Sequence, residues 1–108
     1  MEIGEQELVR QRWSGGAPFA VYFYTPLCGT CRVGKKMVDV VQAMERGMDI
    51  FEANVNVMPQ VVQDWKIESV PCLAFVSEKR IAGKLYAMRS VPFLLEEVRK
   101  HMDANAGG

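Results

Sequence analysis

The sequence predicts an α/β domain, a mixed central sheet of about four strands with helices on both faces. Three observations carry that reading. Phe19 to Tyr24 is a continuous apolar and aromatic run close to glycine and proline, as in a strand buried on both faces. From about Gly29 the apolar period becomes that of a helix. Strand-like and helix-like segments then alternate, and such units pair their strands in parallel through right-handed crossovers.

The elements follow in order. Residues 5–13 place Leu8, Val9 and Trp13 among polar side chains, a spacing that suits a short helix ended by Ser14-Gly15-Gly16. Thr25-Pro26 breaks the strand 19–24. Val33, Met37, Val40, Val41 and Met44 recur at helical spacing with polar residues between them, and Gly47 is the stop. Asp49 to Asn56 alternates enough to be a second strand. Pro59 suits the first turn of a short helix reaching Trp65. Leu73 to Val76 and Ile81 to Ala87 are the third and fourth strands, joined in an antiparallel hairpin by Glu78-Lys79-Arg80. Ser90 is the expected N-cap of a last helix through Val91, Leu94, Leu95 and Val98, with Arg99, Lys100 and His101 near its C-terminus. Asp103 to Gly108 reads as a disordered tail. Trp13, Trp65 and the helically spaced methionines are expected in the core or lining a groove, with Met58 and Met88 at its border.

The 108 residues make one domain, 1–108, large enough for a core of its own. Its 13 basic and 13 acidic side chains give no reason to expect nucleic acid or an anionic membrane as partner. No stretch approaches the roughly 20 apolar residues of a membrane span. The acidic, polar N-terminus is the opposite of a secretory signal, which points to a cytoplasmic protein, expected as a monomer. Three cysteines in such a chain do not form a disulfide framework, so close cysteines read as catalytic or metal-binding.

Cys28-Gly29-Thr30-Cys31 sits where a buried strand ends and a helix begins. Unpaired N–H groups and the helix dipole favour an anion there, so a thiolate at Cys28 has a depressed pKa. Cys31 lies about one helical turn on, within reach of it. Gly29 leaves room for an incoming disulfide, and Arg32 and Lys35 add positive charge. The rival reading is a metal or cluster site built from Cys28, Cys31, Cys72 and His101, although the spacing is poor. His101 by itself reads as a solvated residue at a helix C-terminus, and Cys72 as a small buried hydrophobe or a regulatory thiol.

Phe23-Tyr24-Thr25-Pro26-Leu27-Cys28-Gly29-Thr30-Cys31 resembles the strand and Cys-Gly-Pro-Cys loop of the thioredoxin family. Lys66 to Val76, with Val70-Pro71 at its centre, resembles that family's segment of an aliphatic residue, a cis-proline and a strand. The likeness covers roughly residues 5–103. It implies a thioredoxin-like fold and reversible dithiol–disulfide exchange without a cofactor or metal. Cys28 would be the attacking thiol and Cys31 the more buried resolving thiol. Pro71 would be cis and face the pair, and Val70 would offer backbone groups to an extended substrate, with Leu27, Gly29 and Thr30 beside it. Protein disulfides are the implied substrates, with a thioredoxin reductase or glutathione as the source of electrons. An adaptor that binds partners without turnover is the remaining alternative, and intact Cys28 and Cys31 weigh against it.

Departures from the family pattern carry further expectations. Leu27 replaces a tryptophan and Thr30 the proline inside the motif, so Thr30 can turn its N–H and hydroxyl on Cys28. A more oxidising couple is expected. Tyr22 replaces the family's buried aspartate, and Glu52 falls where its buried lysine lies, making Glu52 the candidate proton relay. Lys36 replaces a kinking proline, so the active-site helix should run straighter. Cys72 stands where threonine is common. The shortness of the N-terminal segment argues against the family's full first strand.

Overall fold

The computed structural model describes the backbone of residues 1–106 and the side chains of residues 1–102. Its centre is β1 (Phe19–Tyr24), whose first five residues are buried on both sides. Phe19, Val21 and Phe23 point to one face of the sheet and Ala20 and Tyr22 to the other, as strand alternation requires. Around it the order is α1 (Glu5–Trp13), β1, α2 (Gly29–Met44), β2 (Asp49–Asn54), a 3₁₀ turn at Val55–Val57, α3 (Pro59–Asp64), β3 (Cys72–Ser77), β4 (Arg80–Leu85) and α4 (Val91–Ala106). The sheet runs β2-β1-β3-β4, with β1 and β2 parallel and the other two pairings antiparallel.

Only β1–α2–β2 is therefore a parallel crossover unit. β3 enters on the other side of β1 in the opposite direction, after a connection that includes Lys66 at φ 55°. The second strand ends two residues earlier than expected, because the Asn54 side chain accepts the Asn56 N–H at 3.0 Å and closes the 3₁₀ turn. The hairpin between β3 and β4 turns on Glu78 and Lys79, both at positive φ, the geometry that matches strand twist. Register steps from Phe75↔Gly83 to Val76↔Ile81, leaving Ala82 as the extra residue of a bulge on β4. A short piece of first strand survives. Ile3 N–H donates to the Glu52 carbonyl and Glu52 N–H to the Met1 carbonyl, both at 2.9 Å.

Helices α1 and α3 cover the face that holds Leu8, Phe23, Met58, Val61 and Trp65, and α2 and α4 cover the face of Tyr22, Val38, Val41, Leu94 and Val98. α2 runs through Lys36 without interruption. Its buried positions are Cys31, Gly34, Val38 and Val41, whereas Val33, Val40 and Met44 are exposed. The apolar stripe read from the sequence is thus offset from the true core face. Gly34 is the reason, since its missing side chain lets the helix settle against Tyr22 and Met88.

Three other expectations are corrected. α4 passes Asp103 and continues to Ala106, since neither proline nor glycine interrupts it there, while residues 107–108 of the expected tail lie outside the described residues. His101 is consequently not at the helix end. It stacks on Phe75 with ring centroids 3.9 Å apart, beside Gly83, whose lack of a side chain leaves it space. Trp13 is exposed, its ring covered by the Arg12 guanidinium at 4.6 Å, whereas Trp65 lies in the core edge-on to Phe23.

Candidate active site

Cys28 is the N-cap of α2, and a sulfur performs the capping usually done by an oxygen. The Cys31 N–H donates to Cys28 Sγ at 3.1 Å, and Thr30 Oγ1 lies 3.2 Å from the same sulfur. Contact with the Cys31 thiol and then the Thr30 hydroxyl, with backbone N–H groups, holds the Cys28 thiol below its ordinary pKa. Burial pushes the Cys31 thiol up, and so does its bond to Cys28. Two thiols one turn apart are thus driven in opposite directions. Cys28 is half-buried and Cys31 is buried.

Tyr22 fixes the second cysteine from below. Its hydroxyl donates to the Cys31 carbonyl at 2.7 Å, inside the protein. Burial and the neighbouring Cys31, Cys28 and Glu52 push the Tyr22 hydroxyl pKa far upward, so it stays a donor. This contact was not read from the sequence. A tyrosine in the middle of an otherwise apolar buried strand was the available signal, because a buried hydroxyl needs a partner.

Beside the pair lies an open groove of about 500 Å³ whose walls include Thr30, Val33, Met37, Val70, Pro71 and Met88. The Val70–Pro71 peptide bond is cis. Thr30, Val70 and Pro71 are thereby brought together, although they are forty residues apart in sequence. Met88 borders the groove, but Met58 is fully buried under α3 and does not. Gly29 is exposed, and a side chain there would meet only the Arg32 guanidinium, at 3.9 Å. Leu27 is 94% exposed and outside the groove wall. Sequence reasoning missed Tyr86, Ala87 and Arg89, which complete the wall from the loop before α4.

Glu52 lies on β2 opposite Tyr22 and makes no direct contact with either thiol. Its carboxylate pairs with Lys35 Nζ at 2.8 Å, and Lys35 also pairs with Asp39 at 2.8 Å. Those two carboxylates, Asp39 first, push the Lys35 ammonium well above its ordinary range. Lys35 and Cys31 both line a small cavity of about 120 Å³, together with Tyr24, Thr25 and Pro26.

Cys72 lies on the other face of the sheet from α2, fully buried beside Val70, Tyr86 and the core residues under α1 and α3. Burial pushes its thiol up to about 11, partly offset by a bond to the Tyr86 hydroxyl. The four residues of the metal reading do not converge, since Cys72 is across the sheet and His101 is stacked on Phe75 with Nδ1 2.9 Å from the Glu97 carbonyl. Among the described residues no three histidine, cysteine or carboxylate side chains are grouped to hold a metal ion. Among them, too, no helix is long and apolar enough to cross a membrane.

The family model described as Thioredoxin matches residues 6–100. The chain is 35% identical over 82 residues to the thioredoxin-like protein YusE of Bacillus subtilis, covering 76% of this chain and 77% of that one. It is 25% identical over 107 residues to the thioredoxin-like protein slr1139 of Synechocystis, covering 95% of each. In three dimensions it matches a mutant thioredoxin from Halobacterium salinarum with a TM-score of 0.82, covering 94% of this chain and 89% of that one. Sequence identity there is 14%, so that likeness concerns the fold.

Proposed function

The chain belongs to the thioredoxin family, and from that premise we propose that it is a thiol–disulfide oxidoreductase working through Cys28 and Cys31. The Cys28 thiolate attacks one sulfur of a substrate disulfide. A bond forms between Cys28 Sγ and that sulfur as the substrate's own S–S bond breaks, and the displaced thiolate takes a proton. Cys31 then loses its proton and attacks Cys28 Sγ. The mixed disulfide breaks, the second substrate thiolate leaves and is protonated, and Cys28 and Cys31 are left joined. Two electrons and two protons have passed to the substrate without a cofactor.

The observation that carries this reading is the pair of contacts on Cys28 Sγ, from the Cys31 N–H at 3.1 Å and Thr30 Oγ1 at 3.2 Å. They stabilise an anion on the more accessible sulfur and leave the buried one protonated until it is needed. Because Thr30 favours the thiolate and hence the reduced pair, the couple is more oxidising than the roughly −270 mV of thioredoxin. Val70 and Pro71 offer a backbone edge to an extended peptide, with Leu27, Gly29 and Thr30 around the attacking sulfur. Glu52 serves as the proton relay for Cys31, its carboxylate held by Lys35, which pairs with it and lines the cavity at Cys31. Protein disulfides are the substrates, the cytosol is the setting, and a thioredoxin reductase or glutathione returns the electrons.

Trapping tests the assignment. Cys31→Ser incubated with an oxidised peptide should accumulate a mixed disulfide visible by mass, whereas Cys28→Ser should accumulate none. Adducts on Cys31 in the Cys28→Ser protein would reverse the two roles.

A further inference from the structure

Arg89 is, among the described residues, the one charged side chain in the wall of the groove beside the thiols. Among the described residues no carboxylate pairs with it, whereas Arg10, Lys35, Arg99 and Lys100 each have one. Its guanidinium lies over the Phe93 ring, 4.9 Å from the centroid. Phe93 is half-buried and packed on the core beneath α4, so the platform is anchored. A guanidinium held over a ring by its charge keeps its N–H donors for a planar acceptor. The backbone supports the same aim. Arg89 has φ 59°, a left-handed conformation uncommon for a long side chain, and Ser90 next to it accepts the Phe93 N–H at 3.2 Å. Turn, cap and aromatic platform form one unit that directs an unneutralised cation at a groove otherwise lined by apolar and neutral side chains.

We infer that Arg89 is a specificity-determining residue, selecting peptide disulfides that carry a carboxylate next to the apolar stretch laid along the groove. This rests on the oxidoreductase reading above. A carboxylate fits the free guanidinium edge and gains a charge-assisted contact, and a lysine in the same place is repelled. The neutral remainder of the wall does not distinguish the two.

The test uses three oxidised peptides identical except for Glu, Gln or Lys beside the disulfide, and reads kcat/KM for each. The unaltered protein should prefer the Glu to the Lys peptide by about fivefold, the scale of one exposed charge pair. The difference should lie in KM and shrink as salt is added. Arg89→Met should bring the ratio close to one, and Arg89→Lys should restore part of it. A ratio near one in the unaltered protein, or the same preference in Arg89→Met, overturns the role of Arg89 while reduction of the Gln peptide upholds the enzyme. Failure to reduce even the Gln peptide overturns the oxidoreductase reading, and this one with it.

Discussion

Gly34 sits against the hydroxyl of Tyr22 so closely that a methyl group on it would overlap the tyrosine oxygen. That hydroxyl is the one bonded to the Cys31 carbonyl, so a missing side chain on α2 makes room for the group that anchors the buried thiol. The two residues act as one device. Tyr22 supplies a neutral donor, and Gly34 brings the helix down to meet it.

Tyr22→Phe should cost about 1 kcal/mol of stability, the net worth of one internal hydrogen bond. Gly34→Ala should cost about 1–3 kcal/mol by crowding, despite alanine's better helix propensity. In the double variant the clashing oxygen is gone, so the losses should sum to less than the singles. Denaturant midpoints of the four proteins measure this, and simple additivity would mean the two residues do not meet.

Cys72 should behave as core, not as a third redox partner. Its thiol is raised from 9.0 to about 11, so the native state keeps a proton that the unfolded chain would release. The associated stability is complete below about pH 9 and is lost as the pH climbs through about 11. Cys72→Ala should lose about 1–2 kcal/mol at neutral pH, flatten that alkaline decline and leave peptide-disulfide turnover unchanged. A Cys72 crosslink to either other thiol in the oxidised protein would contradict this.

Glu52→Gln bears on the second half of the cycle. It should slow resolution of the mixed disulfide on the order of tenfold, less than for a base in direct contact, because Glu52 is paired with Lys35 and not with the thiol. The first attack by Cys28 should be unaffected. Stopped-flow traces that separate the two steps give the answer, and equal slowing of both would point to a structural effect.

Much of the fold could be read from residue types. Phe19 to Tyr24 announces a doubly buried strand, and the Cys28–Cys31 loop and Val70-Pro71 segment carry strong local signals. The phase of α2 was not legible. Of the stripe Val33, Met37, Val40, Val41 and Met44, Val41 is buried and Met37 packs on the core, but Val33, Val40 and Met44 are exposed, because the packing surface runs through Gly34, which hydrophobic periodicity counts as nothing. Arg89 was missed for a related reason. Phe93, four residues on, lies within reach in the sequence, but the groove that gives Arg89 its meaning is completed by Val70 and Pro71, almost twenty residues away.

The two rims of the sheet are finished differently. The outer rim of β2 is already bonded to the chain's own first residues, through Ile3 and Met1. The outer rim of β4 pairs with no further strand among the described residues, but it carries the Ala82 bulge and, at its start, the exposed cation Arg80. A bulge and an exposed charge discourage a stray strand from adding to an unpaired rim. The flanks of the sheet are thereby guarded against collecting extended chains. Clipping or masking residues 1–3 would strip that guard from β2 and favour aggregation, at a place remote from the thiols.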